Sequence, residues 1–331
     1  MAVKIALDAM GGDNAPFSPV KAARQSASLD ISLLLVGDEP KITALLEGEV
    51  PSYVKIIHNE KHVAMDDKVS LRLLREKENT MRDVLSSVRK GESDCAVSAG
   101  NTAAFVSIAI AEMGLLKGVE RPAIAVMIPT ISGKFSIFLD VGANINSKPA
   151  HLLQYAVMGN LYAKRVFGMD EPRVAMLNIG EEETKGDDLR REALKLIKER
   201  HDLCCIGNIE GRDLFNDKAD VIVTDGFTGN VVLKVTEGLV HSFKAMLKRE
   251  LTSDLQGKIG SFLVRNHFRR FAKKADYSEY GGGILLGVNG AVIISHGRSS
   301  PKAIQSALRL GKNVVEQGFL TALRETMDRS S

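Results

Sequence analysis

The chain has 331 residues, 44% of them hydrophobic, and carries 44 Lys and Arg against 41 Asp and Glu for a net charge of +3. That length and apolar content are enough for a substantial core, and so weak a positive bias excludes nucleic acid as the main partner. No uninterrupted apolar run reaches the roughly 18 residues of a membrane span, and Asp8 interrupts what would have to be the apolar part of a signal peptide. The reading is a cytoplasmic protein whose membrane contact is peripheral. Cys95, Cys204 and Cys205 lack metal-ligand spacing and read as reduced core residues.

In chain order, short apolar runs at 3–7, 31–36, 54–57, 95–97, 124–128, 137–139, 174–177, 221–223 and 292–294 predict strands. Between them, apolar residues at i, i+3 and i+4 predict helices, among them 152–166, 189–197, 231–247 and 303–323. Runs such as Leu33-Leu34-Leu35-Val36 do not alternate with polar residues, as expected of strands covered on both faces. The pattern predicts a three-layer α/β fold, a mostly parallel or mixed sheet with helices on both faces. With no linker or low-complexity stretch, residues 1–331 read as a single catalytic domain, with a protruding basic helical segment at about 250–276.

The strands end in small, polar, Gly-bearing turns. These are Asp8-Ala9-Met10-Gly11-Gly12-Asp13-Asn14, Ser98-Ala99-Gly100-Asn101-Thr102, Asp140-Val141-Gly142-Ala143-Asn144, Asn178-Ile179-Gly180, Thr224-Asp225-Gly226-Phe227-Thr228-Gly229-Asn230 and Ser295-His296-Gly297-Arg298-Ser299-Ser300. Each alone is an ordinary helix cap. In a parallel sheet such turns gather at one edge, where helix N-termini present free N–H groups and bind anions. Several of them are expected to line one cleft for phosphate or a phosphorylated ligand. The Gly-x-x-x-x-Gly-Lys-Ser/Thr loop, the Gly-x-Gly-x-x-Gly fingerprint and the Gly-x-Ser-x-Gly elbow are all absent, which favours inorganic phosphate or a phosphoester over a nucleotide. His62 and Asp67 are spaced as chance allows, and Asp213, Asp217 and Asp220 read as a solvated acidic face rather than a metal site.

Taken together, Leu7-Asp8-Ala9-Met10-Gly11-Gly12-Asp13, Ser98-Ala99-Gly100-Asn101-Thr102, Leu139 to Asn144, Thr224 to Asn230 and Tyr280-Gly281-Gly282 closely resemble the PlsX family of bacterial acyl-carrier-protein:phosphate acyltransferases. The resemblance spans nearly the whole chain. It implies an isocitrate/isopropylmalate dehydrogenase-like fold, a homodimer, no cofactor and no metal. The implied reaction moves a long-chain acyl group from acyl carrier protein to inorganic phosphate, giving acyl-phosphate for phospholipid synthesis.

Phosphate is then the nucleophile, which agrees with the missing serine or cysteine elbow. Catalysis would rest on positioning and on oxyanion stabilisation. Lys185, in Glu182-Glu183-Thr184-Lys185-Gly186, matches the family's Lys-Gly loop and is the candidate to hold phosphate or the oxyanion. Asn230 is the candidate donor to the thioester carbonyl or phosphate, and His296 a candidate ligand or proton donor. Asp8 and Asp225 orient neighbouring donors. Backbone N–H groups at Gly11, Gly12, Gly142, Ala143 and from Gly226 through Thr228 and Gly229 are the expected anion donors, with Asn101, Thr102 and Asn144 beside them.

The stretch 258–275 carries six Lys and Arg and no acid. Arg265, Arg269, Arg270, Lys273 and Lys274 would dock an anionic membrane surface or the acidic carrier, the alternative being a dimer-packing helix with a solvated face. Three other readings stay open. One is a phosphotransacetylase-like enzyme using acyl-coenzyme A, one a dehydrogenase on the same fold, and one a non-catalytic scaffold.

Overall fold

The computed structural model describes residues 2–26, 30–274 and 282–329, and for 268–274 the backbone alone. Its strands are β1 (Val3–Asp8), β2 (Ile31–Gly37), β3 (Val54–His58), β4 (Cys95–Ser98), β5 (Ala123–Pro129), β6 (Phe135–Leu139), β7 (Arg173–Leu177), β8 (Cys204–Ile209), β9 (Val221–Val223), β10 (Gly283–Leu286) and β11 (Ala291–Ile294). Its helices are α1 (Phe17–Arg24), α2 (Glu39–Leu45), α3 (Leu71–Arg75), α4 (Thr80–Arg89), α5 (Thr102–Met113), α6 (Pro149–Phe167), α7 (Asp188–Lys198), α8 (Gly226–Leu251), α9 (Leu255–Lys274), α10 (Pro301–Glu316) and α11 (Phe319–Arg329). All nine predicted apolar runs are strands. Two strands lie outside the predicted runs, although each holds a short apolar stretch, Leu203-Cys204-Cys205-Ile206 and Ile284-Leu285-Leu286. β8 is an edge strand opened by Cys204 and Cys205, and β10 emerges from the glycine-rich stretch. The predicted helix at 303–323 is two helices, broken at Gly318, whose φ of +60° ends the first.

All eleven strands form one sheet in the order β3-β2-β1-β4-β11-β10-β5-β6-β9-β7-β8. Alternate residues of a strand enter opposite cores. Ile5, Leu7, Val97, Leu139 and Val223 pack against α1, α6 and α10, whereas Ala6, Ala96, Phe138 and Ile222 pack against α4 and α5. Both faces are therefore covered, and the apolar runs need no polar alternation.

The expectation that the Gly-bearing turns gather at one edge is corrected by the centre of the sheet. β10 pairs antiparallel with β11 and with β5, and β5 pairs antiparallel with β6, while the flanking pairings are parallel. Hence β1, β4 and β11 run opposite to β6, β7 and β9. The turns after the first set lie at one edge and those after the second at the other. β5 links them: Val141 N–H donates to the Ile124 carbonyl at 3.1 Å, while Gly283, at the exit of β11, is in register with Val126. A ligand spanning these points crosses the face of β5 over roughly 7 Å, two residues at about 3.3 Å each.

Helix α6 lies so close to the sheet that a Cβ on Gly159 would stand 2.8 Å from Val221 Cγ1 and 3.1 Å from Leu139 Cδ2. Helix propensity alone favours Gly159→Ala by about 1 kcal/mol, but overpacking costs about 1–3 kcal/mol. The steric term wins, so Gly159→Ala is expected to lower the urea midpoint, with a net loss of about 1 kcal/mol at unchanged m.

Candidate active site

Each polar turn is built around a short side chain that consumes the nearest N–H groups. Asp225 caps α8 by accepting from Thr228 N–H at 2.9 Å, and Asn101 caps α5 by accepting from Ala104 N–H at 3.1 Å. The Asn101 amide also donates to the Met65 and Asp67 carbonyls, each at 3.0 Å, tying down the loop before α3. Asp8 is buried. Its carboxylate accepts from Met10 N–H at 3.1 Å and Ser98 Oγ at 2.7 Å, and burial raises its pKa against these bonds. Gly11 packs so tightly on this pair that a Cβ would meet Asp8 Oδ2 at 2.6 Å, and the next residues join the β11 turn through Asp13 N–H to the Gly297 carbonyl.

The turn after β6 departs from expectation. Gly142 and Ala143 do not offer free N–H groups, because both donate to Asp140 Oδ1, at 3.0 and 2.9 Å. The same oxygen accepts from Ile124 N–H at 3.0 Å, and Oδ2 accepts from the backbone and side-chain nitrogens of Asn144 at 2.9 and 3.1 Å. Asn144 is further bound to the Pro122 carbonyl and the Tyr155 hydroxyl. Burial pushes the Asp140 carboxyl up while these donors oppose the shift. The first turn of α8 seats directly on this knot. A Cβ on Gly229 would lie 1.8 Å from the Asp140 carbonyl oxygen, and one on Gly226 2.4 Å from that of Asn144.

At the start of α8, Arg190 reaches from α7 to the carboxylate of Asp225 and to Thr228 Oγ1 at 2.9 Å, while also pairing with Asp187 at 2.7 Å. Burial alone would raise the Asp225 pKa, but the bonds from Thr228 and the Arg190 cation outweigh it and hold it below the ordinary value. Lys185 lies in the β7–α7 loop, exposed, with its carbonyl accepting from the Asn178 side chain at 3.1 Å.

Between the two edges, over β5, lies a crevice of about 290 Å³. Thr102 and His296 enter it from one side, Gly142 and Asn230 from the other, with Gly282 also in its wall. Tyr280 and Gly281 lie outside the described residues. Lys234 and Glu237, both on α8, complete it, and neither carried a sequence signal beyond being polar in an apolar helix. Lys234 Nζ is 3.0 Å from Glu237 Oε2 and 3.2 Å from His296 Nε2. Arg298 N–H donates to His296 Nδ1 at 3.1 Å, which leaves the neutral ring's proton on Nε2, so that Nε2–H and the Lys234 ammonium stand side by side as two donors and are not bonded to each other. Burial first, and then the Lys234 cation, lower the His296 pKa, so the ring is neutral at pH 7. Glu237 Oε1 is buried without a hydrogen-bond partner among the described residues. The remaining predicted residues, Lys185, Asp8, Gly11, Gly12, Asn101, Ala143, Asn144, Asp225, Gly226, Thr228 and Gly229, lie outside the crevice wall.

The thiols stand apart from it, Cys95 in the core with its pKa pushed up by burial, Cys204 and Cys205 on edge strand β8. Among the described residues no cluster of three His, Cys, Asp or Glu suits a metal ion. Asp213 lies buried in a short 3₁₀ helix (Gly211–Phe215) and Asp217 in the turn after it, so the two do not form one solvated helix face; Asp213 pairs with Lys218 at 3.3 Å and Asp217 accepts from Thr130 and Ser132.

A family model described as "Fatty acid synthesis protein" matches residues 3–322. The chain belongs to this family. A phosphate acyltransferase of Thermodesulfovibrio yellowstonii is 43% identical over 331 residues, covering 99% of this chain and 95% of the relative. One of Staphylococcus saprophyticus is 42% identical over 327 residues, covering 98% of each. Among solved structures, a phosphotransacetylase from Streptococcus pyogenes superposes with a TM-score of 0.65 at 17% identity, covering 95% of this chain and 94% of that one. A 4-hydroxythreonine-4-phosphate dehydrogenase from Klebsiella pneumoniae gives 0.56 at 11%, covering 95% and 100%. The structural likenesses establish a shared fold, and the fatty acid synthesis protein family is established by sequence.

Two outcomes test this site. Asp140→Ala orphans the buried N–H of Ile124, at about 1–3 kcal/mol, and removes the acceptor of the more exposed Gly142, Ala143 and Asn144 N–H groups, so it is expected to lose about 2–4 kcal/mol in equilibrium unfolding. The stabilisation from Asp225, whose folded pKa is depressed, is fully present above its ordinary pKa of 3.8 and lost as pH falls through the lower folded value. The stability gap between parent and Asp225→Ala, followed by urea denaturation, is expected to be constant from neutral pH to about pH 5 and to close in stronger acid.

Proposed function

We propose that this protein transfers a long-chain acyl group from the phosphopantetheine thioester of acyl carrier protein to inorganic phosphate. A phosphate oxygen attacks the thioester carbonyl carbon, the tetrahedral oxyanion collapses, the C–S bond breaks, and the thiolate leaves to take a proton from water or a neighbouring donor. Family membership supports the acyltransfer. The observation that carries the assignment to this crevice is the convergence of Lys234, the His296 Nε2–H and the Asn230 amide on one space remote from every cysteine.

In this reading Lys234 holds phosphate, Asn230 and His296 donate to the oxyanion, and Thr102 positions the donor. Asn230 lies near the N-terminus of α8, whose positive end favours the developing charge. Lys185 supplies a second cation from the β7–α7 loop, and Arg190 anchors the start of α7 beside the Asp225 cap. The turns of Asp8, Gly11 and Gly12 and of Asn101 shape the opposite wall. No metal or cofactor enters the scheme. The likeness to phosphotransacetylases favours coenzyme A thioesters as the second donor to compare, and the dehydrogenase neighbour supports the isocitrate/isopropylmalate dehydrogenase-like label.

The assembly belongs to the same proposal. Along α8, Val231, Val235, Leu239 and Phe243 recur every four residues, all exposed, and α9 exposes Leu255, Ile259, Phe262 and Leu263. The single catalytic domain thus projects an α8–α9 hairpin whose apolar stripe suits a second copy in a homodimer. Arg265 stacks over Phe262 at 4.6 Å on α9. The side chains of Arg269, Arg270, Lys273 and Lys274 lie outside the described residues. Their charge supports docking of carrier protein and peripheral contact with an anionic membrane from the cytoplasmic side. No helix among the described residues is long and apolar enough to cross a membrane.

Palmitoyl-carrier protein, incubated with and without inorganic phosphate, is expected to release thiol and form acyl-phosphate only when phosphate is present. His296→Ala, Asn230→Ala and Lys185→Ala are each expected to lower kcat/KM by about a hundredfold, while Val50→Ala, at the far edge, stays at parental rate. Turnover confined to coenzyme A thioesters would transfer the assignment to a phosphotransacetylase-like reaction.

A further inference from the structure

A second cavity, of about 390 Å³, adjoins the crevice. One wall is α8, through Val232, Thr236 and Val240; the other is the β5–β6 hairpin, through Ile128 and Pro129, with Phe215 at the side. Met127, Leu233 and Glu237 line both cavities, so the two lie side by side along β5 and α8. The hydroxyls at the hairpin are engaged elsewhere: Thr130 and Ser132 donate to Asp217 at 2.5 and 2.8 Å. The groove is therefore apolar along most of its length, and Glu237 marks its junction with the polar crevice.

We propose that this groove holds the alkyl chain of the acyl donor, its carbonyl at the Glu237 junction facing His296 and its tail running toward Val240. The proposal rests on the acyl-transfer reading of the crevice. Polar crevice and apolar groove together match an amphiphile whose reacting group is polar and whose remainder has no hydrogen-bonding groups. Burial contributes up to about fourfold in affinity per methylene while the groove is being filled. A short acyl group leaves the groove empty and forgoes that gain. On α8, Val232, Thr236 and Val240 follow one another at four-residue spacing, one position round from the exposed stripe at Val231, Val235 and Leu239. The helix thus gives the chain one face and leaves the other to a partner.

The protein contains no tryptophan, so Val240→Trp both shortens the groove and installs a lone indole, excited selectively over the tyrosines, at its far end. Titration of the full-length variant with ω-bromododecylphosphonate, an acyl-phosphate mimic carrying a quencher at the chain terminus, is expected to quench the new indole saturably. Val50→Trp, at the opposite edge of the sheet, is the control and is expected to stay bright. In turnover, Val240→Trp is expected to lower the palmitoyl-to-octanoyl ratio of kcat/KM by roughly tenfold or more relative to the parent. Quenching in both variants means detergent-like adsorption and overturns the proposal. So does a folded Val240→Trp that is neither quenched nor altered in chain-length preference, the result expected if a second copy of the chain fills the groove. Saturable quenching without phosphate-dependent turnover of any acyl thioester in the parent would instead leave an alkyl site standing and defeat the acyl-transfer reading.

Discussion

The carboxylate of Asp140 is the interaction on which the rest of the site depends. It accepts from Ile124 on the neighbouring strand and from Gly142, Ala143 and Asn144 on its own turn. A buried carboxylate is costly unless every lone pair is engaged. Here the engagement closes a compact turn on whose top the first turn of α8 sits, at a distance that only glycine at 226 and 229 permits. The position of α8 follows, and from it the positions of Asn230, Lys234 and Glu237, three of the polar side chains in the crevice.

The crevice has a second requirement, the reversal of strand direction at the centre of the sheet. With β10 and β5 inserted antiparallel, the two families of polar turns face away to opposite edges, and a ligand that touches both must cross β5. This is a different solution from the single carboxyl edge of a wholly parallel sheet. It places His296 and Thr102 opposite Asn230 and Gly142 across a polar gap, with apolar side chains of β5 beneath. The charges in the gap are Lys234 and Glu237, with His296 held neutral by burial and by its cationic neighbour. The crevice therefore holds a cation already paired to a carboxylate that retains one oxygen without a partner among the described residues, and any anion entering it competes for that cation.

Helix α8 integrates the parts. Its capped, glycine-bearing N-terminus is anchored to Asp140 and to Arg190, its middle supplies the crevice, its next face lines the apolar groove, and its outer stripe is open to a partner. The crevice, the apolar groove and the exposed stripe thereby lie on successive faces of one rigid element, which keeps them in fixed register.

Much of this was legible in the sequence. Non-alternating apolar runs mark strands buried on both faces, because a side chain facing either layer must be apolar, and nine strands follow from that alone. Caps such as Asp225 and Asn101 are equally legible, since a short acceptor before a helix satisfies a local need. The recurrence of five motifs in order pointed to the family, and Asn230, His296 and Thr102 do meet in space. β8 and β10 were missed despite their short apolar stretches, because Cys204-Cys205 read as core cysteines and Ile284-Leu285-Leu286 sits in a glycine-rich segment. Nor was the fate of the Gly142 and Ala143 donors, because Asp140 claims them through a turn whose closure depends on Ile124 across the strand pair. Arg190, Lys234 and Glu237 looked like ordinary helix-surface charges, and their roles depend on neighbours 35 to 62 residues away in the chain. Local sequence determines periodicity, capping and turn chemistry, which act over a few residues. The direction of each strand, the choice of partner for each donor and the adjacency of crevice and groove depend on long-range packing, so only the tertiary structure decided them.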